Sequence, residues 1–180
     1  MKTSIIDTHR QLLLHWRKAM DLIGPGNMDI HFQDSIGAVS NIELSGSWID
    51  LGSGAGFPGI ALAAYHPNIT VLLVESRQKR ALFLKRVISE SKISNITLYH
   101  GRTEHIEEQF DGVISRAYKP PLEYLKDAEI LCKDNGSVIC LLGEHSTFHI
   151  PKGWFLEQEI LYPVNDGFRK RWLLSKSTNN

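Results

Sequence analysis

The chain is short of cysteine, of net charge and of long apolar runs, and each shortage closes off a class of function. Its two cysteines, Cys132 and Cys140, have seven residues between them. That spacing fits neither a disulfide scaffold nor a zinc or redox motif, and Cys140, inside an apolar stretch, reads as a small core residue. Lysine plus arginine number 20 and aspartate plus glutamate 20, so no overall charge draws the protein to a polyanion. No apolar run approaches the ~20 residues of a membrane span. The opening Met-Lys-Thr-Ser-Ile-Ile is too short an apolar stretch for a secretory signal. A cytoplasmic location with no membrane contact is therefore expected. His145 and His149 have an i,i+4 metal spacing but no third ligand nearby, so no metal is expected. Internal repeats, low-complexity tracts and linkers are lacking too. At 180 residues the chain suffices for one core and not two, which gives a single domain over 1–180.

What is present alternates. Ile5, His9, Leu12, Leu13, Trp16 and Met20 recur at helical spacing, and Gly24-Pro25-Gly26 stops that helix. Phe32, Ile36 and Val39 suggest a second, short one. Strands are then expected at Ser47–Leu51, Thr70–Glu75, Ile96–Tyr99, Gly112–Ser115 and Ser137–Leu142. Helices are expected at Gly59–Tyr65, Gln78–Ser91, Glu104–Gln109 and Pro121–Leu131. Trp154–Leu161 and Arg171–Leu174 have no helix-length stretch between them and should pair antiparallel, before a polar, frayed tail at Ser175–Asn180. Strands alternating with helices imply a doubly wound α/β sheet that is mostly parallel.

The most informative segment is Trp48–Gly59, a short apolar strand running into glycines at 52, 54, 56 and 59. Glycines after a strand let the backbone approach a ligand closely and expose N–H groups at the start of a helix. Glu75 ends the next strand, where a carboxylate can take both hydroxyls of a ribose. The glycine spacing matches a dinucleotide fingerprint. Asp50, two residues before the first glycine, would however repel a pyrophosphate, and no hydride-transfer pair such as Tyr-x-x-x-Lys is recognisable. A carboxylate there suits the cationic cofactor S-adenosyl-L-methionine. The other strand tips carry Arg102-Thr103-Glu104, Ser115-Arg116-Ala117-Tyr118 and Gly143-Glu144. Arg116 could pair with a carboxylate or hold a phosphate, and Tyr118 could stack on a base. Two basic clusters, Arg77–Arg86 and Arg169–Arg171, are either solvated helix faces or phosphate contacts.

Several segments together resemble the bacterial 16S ribosomal RNA guanine-N7 methyltransferases, also called the glucose-inhibited division protein B family. They are Trp16–Ile23, His31-Phe-Gln-Asp34-Ser35, Asp50–Gly59 with its Pro-Gly end, Glu75–Leu84, Gly101–Glu104, Ile114–Tyr118, and Arg171 before the last strand. The resemblance implies a Rossmann-like class I methyltransferase: short N-terminal helices over 1–45, packed on a seven-stranded sheet closed by an antiparallel hairpin. It implies S-adenosyl-L-methionine held by Gly52, Gly54, Phe57, Glu75, Thr103, Glu104 and Arg116. His31, Asp34 and Ser35 would line the approach, and Arg171 would contact RNA or brace the pocket. The partner would be 16S rRNA or the small ribosomal subunit, and the enzyme a monomer. Guanine N7 is an unprotonated lone pair, so no catalytic acid or base is assigned and the residues act by positioning. Leu142 stands where the family has a lysine. That difference keeps open a paralogue acting on another RNA or a small molecule, or a non-catalytic RNA-binding module.

Overall fold

A computed structural model describes residues 2–177. Two helices, α1 (Lys2–Met20) and α2 (Asp29–Val39), precede the alternating part. That part runs β1 (Ser47–Leu51), α3 (Gly59–Tyr65), β2 (Thr70–Glu75), α4 (Gln78–Ser91), β3 (Ile96–His100), β4 (Phe110–Ser115), α5 (Pro121–Leu131) and β5 (Cys132–Gly143). The long strands β6 (Trp154–Val164) and β7 (Gly167–Lys176) close it. One sheet has the order β3-β2-β1-β4-β5-β7-β6. β1 to β5 run parallel, β7 is antiparallel to β5, and β6 is antiparallel to β7. Strand order reverses between β1 and β4, and ligands in such sheets sit beyond the carboxyl ends at that switch point.

Burial explains why the parallel strands read clearly. A strand covered on both faces is apolar throughout, and Trp48, Ile49 and Leu51 are all buried. On one side of the sheet α1 to α4 pack through Leu13, Phe32, Ile60, Phe83 and Leu84. On the other, α5 packs through Leu125 and Ala128 against Val138, Trp172 and Leu174.

Three expectations need correcting. The segment expected as a helix at 104–109 is a single 3-10 turn, Thr103–His105. It carries one apolar residue, Ile106, and a single turn does not offset the cost of nucleation. β5, β6 and β7 are longer than the apolar runs suggested, and the expected frayed tail is strand as far as Lys176, with 178–180 outside the described residues. Partly exposed strands carry polar residues on one face, which hides their ends.

The third concerns Arg171, expected either to contact RNA or to brace the pocket; its surroundings fit the second role and not the first. It lies within β7 with its side chain wholly enclosed. One guanidinium nitrogen donates to Ala38 O at 3.0 Å and Ser40 O at 2.8 Å, and the other donates to Gln158 Oε1 at 2.7 Å. The cation thus satisfies orphan carbonyls at the end of α2, where the helix dipole favours positive charge. Removing it strands those acceptors in the interior. Arg171→Ala is expected to lower unfolding free energy by about 3 kcal/mol, and a urea titration checks this. A stability within about 0.5 kcal/mol of wild type, the range of an ordinary surface substitution, would contradict the bracing role.

Candidate functional site

The chain leaves β1 at Leu51 and turns through the glycine loop into α3. Gly54 adopts φ +58°, and its N–H donates to Glu75 Oε2 at 2.8 Å. The N–H of Arg77 donates to the other oxygen, Oε1, at 2.7 Å. Ser53 completes the corner: its N–H reaches Val74 O at 2.9 Å, and its hydroxyl donates to Asp50 O at 3.0 Å. Glu75 therefore joins the loops after β1 and β2. A carboxylate has about four acceptor positions, so capacity for a diol remains. Beside this corner a cleft of about 220 Å³ is lined by Gly52, Ser76, Gly101, Thr103, Glu104 and Tyr118. The larger groove of about 790 Å³ past Ser40, Tyr65, His66 and Glu157 lies where the chain enters β1 and β2, at the opposite end of the strands from the glycine loop.

The glycines divide by task. A Cβ placed at Gly54 would meet only ordinary contacts, Gly52 O at 3.7 Å and Arg80 Nη1 at 3.8 Å, so the constraint there is the left-handed backbone rather than a clash. A Cβ at Gly56 would stand 2.3 Å from Ile60 Cδ1, which makes Gly56 a packing residue rather than a point of ligand approach.

Asp50 lies wholly buried beneath the loop. Its Oδ2 accepts the N–H of Gly59 at 3.1 Å, and its Oδ1 has no partner among the described residues. Burial pushes its carboxyl up to about 7. An orphaned acceptor under the glycine loop fits a cationic nucleoside, whose charge would favour the ionised form of this raised carboxyl through space rather than by contact.

At the rim of the loop, Arg116, His31, Asp34 and Phe57 form a cluster. The Arg116 guanidinium lies 4.8 Å from the Phe57 ring centre, and His31 stacks on the same ring at 5.6 Å. Arg116 Nη1 donates to Asp34 Oδ2 at 3.3 Å, and Asp34 Oδ1 accepts the Tyr162 hydroxyl at 2.9 Å. Burial, then the nearby Arg116 charge, holds His31 below its ordinary value, favouring a neutral ring. The Phe57 ring is buried and carries the Arg116 guanidinium and the His31 ring. One expected role changes here. Ser35 is fully enclosed, its hydroxyl donating back to His31 O at 2.8 Å, so it cannot line an approach. Leu142 is buried at the end of β5. The site therefore brings together Gly52, Gly54, Glu75, Thr103 and Glu104 around the cleft, with Arg116, His31 and Asp34 at the rim.

Two contributors carried little signal in the sequence. Tyr162 meets Asp34 across 128 residues of chain, which no local pattern reveals. His9 had a signal, a polar residue in an apolar stripe, and a buried polar group wants a partner. Its Nε2 donates to Ala55 O at 2.7 Å, inside the glycine loop. Its ring sits among Phe32, Phe57 and Phe83 at 4.9–6.0 Å. Burial holds its pKa at about 4.

Two outcomes follow from this geometry. Gly54→Val should keep the circular dichroism spectrum and lose measurable cofactor binding in a calorimeter, whereas Gly56→Val should lose stability by about 1–3 kcal/mol or more through overpacking. Normal cofactor binding by Gly54→Val would remove the loop from the site. For His9, a pKa lowered from 6.5 to about 4 means stability that is full above pH 6.5 and lost as pH falls towards 4. His9→Gln can keep the bond to Ala55 without titrating. Between pH 6.5 and 4 it should avoid a loss of about 3 kcal/mol that wild type suffers. Parallel urea titrations of the two proteins over that range check this, and identical pH profiles would refute it.

The model of a family described as rRNA small subunit methyltransferase G matches residues 2–155. A ribosomal RNA small subunit methyltransferase G from Vibrio vulnificus is 35% identical over 181 residues, covering 94% of this chain and 85% of its own. One from Photobacterium profundum is 38% identical over 157 residues, covering 83% and 70%. Among solved structures, magnesium protoporphyrin IX methyltransferase from Synechocystis PCC 6803 with bound SAM aligns with TM-score 0.64 at 15% identity, over 90% of this chain and 89% of that one. P. horikoshii TYW2 in complex with MeSAdo aligns with TM-score 0.63 at 14% identity, over 83% and 64%. Those two likenesses show the fold, a Rossmann-like methyltransferase sheet. The family follows from the sequence matches, which run through both the glycine loop and the rim: the chain belongs to the rRNA small subunit methyltransferase G family.

Proposed function

We propose that the protein transfers a methyl group from S-adenosyl-L-methionine to N7 of a guanine in 16S rRNA, free or in the small subunit, acting as a monomer in the cytoplasm. The observation that carries this reading is the stack of His31 and Arg116 on Phe57 at the rim of the glycine loop. A neutral ring and a guanidinium plane beside a cofactor cleft make a platform for a nucleobase turned out of an RNA strand.

S-adenosyl-L-methionine, when bound, supplies a methyl group on a sulfonium. The residues of the chain then do the positioning. Gly54 and Glu75 fix the loop against which the nucleoside lies, and Thr103 and Glu104 border its far end. Guanine N7 needs no base to deprotonate it, so the rate rests on holding the lone pair in line with the methyl. Methylation leaves a positive charge on the guanine. Asp34, paired with Arg116, offsets the guanidinium and limits its repulsion of the product. Leu142, the position that departs from the family, closes the end of β5 beside Ala117 and Tyr118, next to the rim.

Mass mapping of 16S rRNA from cells with and without the gene is expected to show one 7-methylguanosine lost on deletion. Arg116→Ala should lower kcat/KM on that RNA by about 100-fold, the cost of a misplaced reacting pair. An unchanged methylation map would overturn the proposal.

A further inference from the structure

α4 carries its charges in the reverse of the order that its dipole favours. Arg77 at its N-cap, then Lys79 and Arg80, stand at the start with no acid in the first turn, while Glu90 stands near the end, bonded to Arg86. Cations belong at a helix C-terminus and anions at its N-terminus, so helix stability does not account for this arrangement. α1 packs antiparallel beside α4: Arg80 Nη2 donates to Asp21 O at 3.3 Å, and the Arg86 guanidinium lies 5.8 Å from the Trp16 ring centre. The last turn of α1 adds Arg17 and Lys18. Lys18, Arg77, Lys79 and Lys85 are exposed and form no salt bridge among the described residues. Acids meet this face at Glu75, whose carboxylate takes the Arg77 N–H, at Asp21, beside Arg80, and at Glu90, bonded to Arg86. In a chain with 20 charges of each sign, positive charge is gathered here. The face also reaches the cofactor loop, because Arg80 Nη1 stands 3.8 Å from where a Cβ on Gly54 would lie.

We propose that the α1–α4 face docks the ribose–phosphate backbone flanking the target guanine, holding the RNA while the base enters the rim. This rests on the rRNA reading above and adds the surface that takes the strand. A polyanion complements the gathered cations, and each neutralised phosphate would release counterions. A membrane surface is the weaker fit. Interfacial helices present a broad apolar face, whereas α1 and α4 turn their apolar stripes into the core and leave one leucine each, Leu14 and Leu82, strongly exposed.

The test compares two triple variants. Lys18→Gln/Lys79→Gln/Lys85→Gln removes three charges from the face. Lys126→Gln/Lys133→Gln/Lys152→Gln removes three from elsewhere. Binding of each to transcribed 16S rRNA and to small subunits is measured over a salt series, with melting temperature and S-adenosyl-L-methionine affinity as controls that neither should change. The face variant is expected to flatten the slope of log K against log salt by about 2 units, at roughly 0.7–0.9 per lost phosphate contact. Its affinity should fall at least ~10-fold at low salt, and the second variant should match wild type. Equal slopes for both variants would overturn the face while leaving the methylation reading intact. So would a face variant that loses binding to phosphatidylserine vesicles but keeps its affinity for RNA. A wild-type protein that neither binds nor methylates 16S rRNA would overturn the function and the face together.

Discussion

The site depends on one carboxylate holding two backbone N–H groups. Glu75 takes Gly54 on one oxygen and Arg77 on the other, so the loop after β1 and the start of α4 are fixed to each other and to the tip of β2. Ser53, the Asp50–Gly59 bond and the His9–Ala55 bond also hold the loop, but among the described residues only the Glu75 tie joins it to the start of α4. Charge-assisted bonds of this kind are shorter and stronger than neutral ones. The two strands themselves are held in parallel register from Ser47↔Thr70 to Leu51↔Val74.

The rim is assembled differently, by elements far apart in the chain. α2 brings His31 and Asp34, the end of β4 brings Arg116, and the β6–β7 hairpin locks α2 in place through Tyr162 on Asp34 and Arg171 on the last carbonyls of the helix. Arg171 is a buried cation neutralised by no acid among the described residues. The aligned carbonyl dipoles of α2 and the Gln158 amide stand in for one. The hairpin thus acts as a template for the helix that carries the substrate-side residues, though it contributes none of the residues lining the cleft.

How much of this was legible in the sequence differs by element. The parallel strands and the glycine loop were, because strands covered on both faces are continuously apolar and because glycines mark a backbone that a side chain would block. The hairpin strands were placed but cut short, since their outer ends carry Pro163 on β6 and Arg169, Lys170, Ser175 and Lys176 on β7, beyond the apolar runs. Ser35 was misassigned, and Arg171 left between two roles, for a common reason. Sequence names a polar group but not the direction in which it points, and both point inward to backbone carbonyls. His9 could be read as a helix residue on the buried side, but its partner, Ala55, lies 46 residues away.

That pairing of His9 with the glycine loop bears on how the molecule moves. Local unfolding proceeds in contiguous cooperative units, and a helix bonded to the inner backbone of a loop cannot detach while the loop keeps its shape. Separating α1 from the sheet would leave the Ala55 carbonyl and three phenylalanine rings without their cover. The amino-terminal helix and the glycine turn therefore open as one unit. A ligand resting on the turn would slow amide exchange in a helix that it never touches.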